Sequence, residues 1–473
     1  MNFRWDQPMV AERDTGTPPP LWVYVVALLV VECIVLGLTV ATWPAGKPVA
    51  SWAFLRGVLL VGPVFWGALC AFIYHSAHGQ YAFETAVINQ EGWRLRTSWQ
   101  RRGHSGVGVV DSVILAPEPD LAERMLGLDG TPPQNSGKVM PLDGPDDKEA
   151  ESRLHAVLER LLAPLAPKLV GAMKSRSFLL FMQGDRDESS EVINAVWTKL
   201  ELPGFPRIVR MNADTEPKFA EKWFPADSDP YYRLVLAWHL NDRGPDVPKE
   251  CSEFAVALLL ASHDFLYEKR DKIKAQAWLL RGIETEADQV EDALTSLLRA
   301  EQVETKRIRN FWHSRLKGLA QHATLGAVKE SGLEISTHAL DIAIGPQAPA
   351  SRWLVYALAA KMAHFGQGAQ LVALPGEKGV TLNLAARQPQ QTNAPWKDSY
   401  GYSLFPTAEA LFVCLVLLGI RLLPGAEGEG SFGLTLTCLA AMVILSAAFG
   451  VARFFREKQL VDECWRRTRG GSW

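Results

Sequence analysis

The apolar positions of this chain form two patterns that are separated along it. Long runs with almost no charge lie toward both ends: Leu21–Trp43 carries only Glu32, and Trp52–Tyr74 carries only Arg56, near its start. Each is about 23 residues, enough to cross roughly 30 Å of hydrocarbon at about 1.5 Å per residue. Further on, Phe405–Pro424 holds Glu409 and Arg421 near its two ends, and Ser431–Ala452 holds no charge. Globular core helices seldom sustain such runs past ~18 residues, so the pattern predicts four transmembrane helices in two terminal hairpins.

Between the hairpins helix and strand periodicities alternate. Asp147–Leu169 places Leu154, Val157, Leu158, Leu161 and Leu162 at helical spacing, Ser177–Gln183 is a short apolar strand, and Ser189–Leu200 is a helix with Ser189 or Ser190 as its cap. Ile208–Met211, Tyr232–Leu240 and Phe254–Ser262 read as strands. The last two are nearly continuous apolar runs, which predicts central strands covered on both faces. The connection Asn241–Glu250, with Gly244, Pro245 and Pro248, would join them as neighbours. Ala275–Leu280 is a further apolar stretch, Glu284–Glu301 and Ala350–His364 are helices, and Gln370–Leu374 and Val380–Ala385 flank a Pro375–Gly379 turn as a hairpin. Gly127–Lys148, rich in Gly, Pro and Asp, is an exposed loop. The expected organisation is a tail over 1–20, a transmembrane hairpin over 21–74, an α/β domain of layered helix and sheet over 78–404, a second hairpin over 405–452 and a basic tail over 453–473.

Charge gives this layout a direction. The loop between the first two spans has only Lys47, whereas Arg94, Arg96, Arg101 and Arg102 follow the second span. The second hairpin loop has Glu427 and Glu429, whereas Arg453, Arg456, Lys458, Arg466, Arg467 and Arg469 follow the fourth. By the positive-inside rule both termini and the large domain are expected in the cytoplasm of a bacterial cell, with the protein multi-pass in its inner membrane and lipids as partners. Trp22, Trp43, Trp52 and Trp66 mostly lie near the interfaces. Twenty polar and Pro-rich residues before the first run, and a second run directly after it, argue against a cleaved signal peptide.

Composition excludes whole classes. With 473 residues, 48% of them hydrophobic, and a net charge of −3, the chain is neither disordered nor a basic nucleic-acid binder. The six cysteines have no framework or CxxC spacing; Cys33, Cys70, Cys414 and Cys438 fall in the spans, and Cys251 and Cys464 in the cytoplasmic parts.

Candidate chemistry is sparse. Glu32, mid-span, is an expensive intramembrane carboxylate: a proton site, a partner for Arg56, or a structural pair with another helix. Arg56 has the alternative of snorkelling to the headgroups. Gly103-His104-Ser105-Gly106 has a G-x-S-G spacing but is polar and juxtamembrane, with Val107 where the hydrolase elbow needs Gly, so a turn is expected. No HExxH, zinc-spaced Cys/His cluster or phosphate loop occurs, and neither a metal nor a cofactor is expected. His75 and His78 flank the inner end of the second span. Asp214, Asp227, Asp229, Asp242 and Asp246 are unpaired loop carboxylates. Cys251, at the entry of an apolar strand, is the candidate nucleophile, with a packed thiol as the alternative.

Two stretches carry a resemblance. Lys249-Glu250-Cys251-Ser252-Glu253-Phe254-Ala255-Val256-Ala257-Leu258-Leu259-Leu260 is similar to a strand of β-ketoacyl synthase and thiolase-like proteins, and it follows an apolar strand as it does there. Ile342–Ala385 resembles the closing part of that fold. Where the family places a catalytic His before the helix, this chain has Ile344-Gly345-Pro346-Gln347-Ala348, with His338 further upstream, and the acyl-accepting Cys motif has no counterpart. The resemblance covers about a third of the chain and implies a degenerate, non-catalytic member. The layout also resembles uncharacterised proteobacterial inner-membrane proteins of type VI secretion loci, through the terminal hairpins, the Gly108–Val113 strand and the Pro117–Arg124 segment after it.

These readings together predict a membrane protein presenting its α/β domain as a binding or assembly module for protein partners, accessory to type VI secretion. The alternatives are a membrane-tethered acyl- or lipid-processing enzyme acting through Cys251, and a small-solute carrier gated around Glu32.

Overall fold

The computed structural model describes residues 3–44, 46–49, 51–143, 152–174, 178–184, 189–212, 232–241, 249–268, 273–392, 394–422 and 431–468. Asp214, Asp227, Asp229, Asp242, Asp246, the Gly244–Pro248 connection, Glu427, Glu429 and Arg469 lie outside them. The chain divides into two compact units: residues 1–6 with 99–392, and residues 7–98 with 393–473.

The second of these units opens with helix α1 (Leu21–Thr42) and continues through α2 (Trp52–Arg56), α3 (Gly62–Tyr74) and α4 (Gln80–Gly103), the last of which passes into the other unit at Trp99. Gly57–Val61 and His75–Gly79 are π-helical turns that join α2, α3 and α4 into one run. The first has a local cause: Pro63 has no N–H and its ring crowds the carbonyl four residues back, so the turn before it widens. The helix therefore continues beyond Tyr74, where the apolar run ends. Its later turns are polar and amphipathic.

The α/β unit continues with β1 (Gly106–Leu115), α5 (Leu121–Met125), α6 (Arg153–Leu162), α7 (Ala166–Met173), β2 (Phe178–Gln183), α8 (Ser189–Lys199), β3 (Arg207–Arg210), β4 (Tyr232–His239), β5 (Phe254–Ser262) and α9 (His263–Glu268). Then come β6 (Ala277–Leu280), β7 (Ile283–Thr285), α10 (Val290–Arg299), β8 (Ile308–His313), α11 (Gly318–Glu330), β9 (Ser336–Ala339), α12 (Leu340–Ile344), α13 (Ser351–His364), β10 (Ala369–Pro375) and β11 (Val380–Ala386).

The sheet these strands build is a duplication. Its order is β3-β2-β4-β5-β1-β6-β11-β10-β8-β9, with β7 beside β11. With the three-residue β7 set aside, numbering each half from its own start gives 3-2-4-5-1 from the edge to the centre in both. The strand directions repeat as well. β2 is parallel to β3 and β4, and β5 is antiparallel to β4 and β1; β8 is parallel to β9 and β10, and β11 is antiparallel to β10 and β6. The halves meet where β1 pairs antiparallel with β6.

Burial follows the pleat. Along β5, Phe254, Val256, Leu258 and Leu260 face the cluster around α13, while Ala255, Ala257, Leu259 and Ala261 face the cluster with α6, α7 and α8. In the other half Leu371 and Ala373 of β10 face α10 and α11, while Val372 and Leu374 face α13. Helix α13 thus has a half-sheet on each side, and from Trp353 to Ala360 every residue is buried. Apolar residues on all sides are what such a central helix requires.

The unit holding α1 closes with α14 (Thr407–Leu422) and α15 (Ser431–Thr468). Its contacts form ladders. Trp66 Nε1 donates to the Tyr24 carbonyl at 2.8 Å, the Glu32 carboxylate lies on Gly62, and Thr39 lies at Gly57, so α1 runs antiparallel to α2 and α3. Leu415 packs at Gly67, Phe65 at Gly419 and Phe412 beside Phe72, so α14 is antiparallel to α3 as well. Among the described residues three helices are long and apolar enough to cross a membrane: Leu21–Thr42, Phe54–Gly103 and Thr435–Thr468. Helix α14 spans 16 described residues, about 24 Å at 1.5 Å each, and is not among them. Membrane association is consistent with these helices; the four-helix topology expected from the sequence goes beyond them. Residues 453–468, expected as a tail, are the last turns of α15.

Candidate functional site

In open α/β sheets, ligand-facing groups gather beyond the carboxyl ends of parallel strands. Here the parallel strands of the second half are β9, β8 and β10, and the chain from β9 through α12 to the first turn of α13 forms a strap that Asp341 ties to the turn after β8.

His313 ends β8 and His338 lies in β9, and both are held in the sheet. His313 stacks on Phe311 (centroids 5.4 Å apart) and His338 lies tilted against Trp312 (5.1 Å), with His338 Nε2 facing Asn310 Oδ1 at 3.0 Å. Burial pushes both imidazoles below their ordinary range. For His313 the nearby Asp341 carboxylate opposes that; for His338 the Met125 backbone opposes it and His313 reinforces it. Asp341 accepts from the Arg315 backbone N–H at 2.7 Å and from Ser314 Oγ at 3.3 Å. It thereby fixes the left-handed Arg315 (φ 60°) in the turn after β8.

Gly345 ends α12 with φ 78°, and a Cβ there would overlap the Lys138 carbonyl oxygen. Only glycine admits both the dihedral and the approach. The next residues grip the strand entry that carries Cys251. The Pro346 carbonyl accepts from the Ser252 N–H at 2.8 Å, and Ser252 Oγ accepts from the Met140 N–H at 2.9 Å. Glu253, buried, receives Arg153 through both carboxylate oxygens, plus the backbone N–H groups of Leu142 (2.7 Å) and Asn241 (2.8 Å). Burial alone would raise its pKa, but Arg153 and the two amides hold it below the usual carboxylate value.

Cys251 is half-buried and packs against the cluster around α13, with its carbonyl accepting from Asn241 Nδ2 at 2.9 Å. At the other end of the strap Gln347 Oε1 and Ser351 Oγ are buried without a hydrogen-bond partner. An orphaned buried acceptor costs about 1–3 kcal/mol, and a polar group of a bound molecule would recover it. Sequence reasoning missed His313, Asp341 and Ser351, and met Gln347 only in the segment that stands where the resemblance would place a His. His313 and Asp341 lie in short elements, β8 and α12, with no period long enough to read, and Ser351 opens α13 as an ordinary helix residue.

The G-x-S-G segment is a structural junction. His104 places its two ring nitrogens 2.7 Å from the Gln390 carbonyl and 2.6 Å from the Ala300 carbonyl, and Ser105 Oγ accepts from Arg281 Nε at 3.0 Å while donating to the Arg102 carbonyl. A separate cavity of about 310 Å³ is lined by Pro117, Asp120, Arg160, Leu358 and Lys361. Its cations are engaged: Lys361 with Glu123 at 2.6 Å, Arg160 with the Asp143 carbonyl at 2.6 Å. No group of three metal-ligating side chains occurs among the described residues.

In the other unit, Glu32 and Arg56 are not brought together as an ion pair among the described residues. Arg453 binds Glu409 through two 3.0 Å bonds and lies over the Phe83 ring, Arg456 binds Glu84, and Lys458 lies over Phe454. His75 Nδ1 is 3.4 Å from Glu409. Arg94 is 3.6 Å from Glu91 and Arg96 is exposed, while Arg101 and Arg102 stand in the last turn of α4, within the α/β unit.

No family model and no curated protein matches this chain. Among solved structures it is similar to the oxazolomycin ketosynthase domain OzmH KS8 of Streptomyces albus, at 12% identity over 62% of this chain and 99% of that one, with a TM-score of 0.41. It is similar also to the AntDE:AntF complex of a type II polyketide ketosynthase and its acyl-carrier protein (11%, 59% and 98%, TM-score 0.42), and to OleA of Xanthomonas campestris (12%, 60% and 99%, TM-score 0.36).

Proposed function

We propose that this protein is a multi-pass protein of the bacterial inner membrane whose duplicated, thiolase-like α/β unit stands in the cytoplasm as a non-catalytic binding or assembly module. The observation that carries this reading is how the polar side chains at His338 and Asp341 of the strap and at the β5 entry are used. Asp341 fixes a turn, Ser252 and Glu253 fix the strand entry, His338 is held on Asn310, and Cys251 packs on the core. Groups committed in this way support binding through surface more than turnover at a centre.

Topology has its own support. Residues 3–6 belong to the same compact unit as 99–392, although α1 and the run from α2 to α4 lie between them in the chain. An even number of crossings between Asp6 and Trp99 keeps both pieces in one compartment, and the arginines after the second span favour the cytoplasm. The partner we place among the proteins of a type VI secretion apparatus or its effectors, on the layout of the chain. Cross-linking of the tagged full-length protein in its native host, followed by detergent extraction and mass spectrometry, tests this. Secretion components enriched over the tag alone are expected, and their absence overturns the assignment.

A second reading, a membrane-tethered acyl- or lipid-processing enzyme, is favoured by the orphaned Gln347 Oε1 and Ser351 Oγ. Acylation of Cys251 by an acyl-thioester probe, lost in Cys251→Ser, would decide for it and against the module.

A further inference from the structure

The segment from Phe3 to Asp6 sits in the α/β unit the way a short peptide sits in a receptor. Phe3 lies between the Trp99 indole (centroids 6.2 Å, planes 24° apart) and the Arg281 guanidinium, 4.4 Å from its ring centroid. Trp5 meets Phe3 and Trp99 edge-on at 5.0 and 6.2 Å. Its Nε1 donates to the Gly282 carbonyl at 3.1 Å. The backbone is read too: Trp99 Nε1 donates to the Arg4 carbonyl at 2.9 Å, and Arg299 Nη2 to the Trp5 carbonyl at 3.2 Å. Arg299 also covers the Trp99 ring at 5.4 Å.

We propose that Trp99, Arg281, Gly282 and Arg299 form a binding site for an aromatic-x-aromatic peptide, filled in cis by Phe3-Arg4-Trp5. The middle position is unspecific, because the Arg4 side chain turns outward to Asp6 with both exposed and gives the site only its carbonyl. The outer positions carry the specificity. One cation–π contact and three hydrogen bonds hold a three-residue ligand only weakly on its own, and its covalent tether keeps it at the site. A partner that presents Phe-x-Trp at high local concentration can then displace the cis segment.

The test uses the full-length protein in detergent micelles and a fluorescent, end-blocked peptide of residues 2–6. Phe3→Ala/Trp5→Ala protein is expected to bind the peptide saturably, and the unsubstituted protein at least tenfold more weakly because its site is filled. Arg299→Ala, at an exposed residue, added to the double variant is expected to weaken binding severalfold, and a peptide with Ala at both aromatic positions is expected not to bind. Equal binding by filled and emptied protein, no saturable binding to the emptied protein, or equal binding of the Ala peptide would each overturn the proposal. If the double variant loses its far-ultraviolet dichroism, Phe3→Ala alone serves as the emptied protein under the same criteria.

Discussion

Arg153, at the start of α6, and Glu253, at the start of β5, face each other fork to fork across a hundred residues of sequence, with Nη1 to Oε1 at 2.7 Å. The carboxylate is 2% exposed and takes two backbone amides besides, so it anchors Leu142 and Asn241 to the strand entry. Removing one partner leaves the other charge buried and unpaired, which typically costs about 3–5 kcal/mol. Arg153→Met is expected to lose stability on this scale, measured by urea unfolding of the full chain with tryptophan fluorescence. Arg153→Met/Glu253→Gln together should lose less than the sum of the two single changes.

The Glu253 carboxyl is held below its ordinary value of 4.5 in the folded chain. A lowered carboxyl pKa contributes stability that is present above the unfolded value and lost as pH falls through the folded one. The histidines act in the same direction: His313 and His338 are pushed below 6.5 by burial, so the unfolded chain takes up their protons more readily than the folded one. Their contribution is therefore complete above about pH 6.5 and declines as pH falls below it. Thermal unfolding followed between pH 8 and 5 should show this decline, and His313→Asn/His338→Asn should flatten it while leaving the loss below pH 4.5.

Those residues mark how far the sequence was legible. Strand β5 could be read because both its faces are covered, which makes Phe254–Ser262 continuously apolar. The hairpin of β10 and β11 announced itself by its turn. The duplication did not, because β9 is Ser-Thr-His-Ala at the sheet edge and β8 includes Arg309 and Asn310, so the second half shows no strand period at those places. The continuation of α4 was hidden by its polarity: Phe83, Val87, Ile88 and Leu95 are set among polar residues and pack with Leu460 and Cys464 of α15. The Arg153 partnership is a long-range contact with no local signature. The one hint was a glutamate directly before a fully buried strand.

Gly345 tests the strap. Alanine there must adopt φ near 78° and also place its Cβ onto the Lys138 carbonyl, with Ser252 Oγ 3.1 Å away. Gly332, at φ 71°, has open space where its Cβ would go. Left-handed backbone alone costs a β-carbon residue about 1–2 kcal/mol, so Gly332→Ala should lose that much and Gly345→Ala distinctly more, in the same urea titration. Equal losses would mean that the strap yields at no cost.

Gly62 is the corresponding test in the helical unit. The Glu32 carboxylate of α1 occupies the space beside it, and a Cβ on Gly62 would overlap all three carboxyl atoms. An acid, partly buried, placed on a backbone with no side chain is what lets α1 and α3 approach closely enough for Trp66 to reach the Tyr24 carbonyl. Gly62→Leu should therefore separate the two helices around this point, whereas Glu32→Ala/Gly62→Leu should bring them back together by filling the vacated space. Proximity can be read from oxidative cross-linking of a Tyr24→Cys/Trp66→Cys pair in vesicles, with the native Cys33, Cys70, Cys414 and Cys438 replaced by alanine. The expected order is efficient cross-linking in the parent, a several-fold loss with Gly62→Leu, and recovery when Glu32→Ala is added. A Gly62→Leu protein that cross-links as the parent does would show that the carboxylate has another place to go.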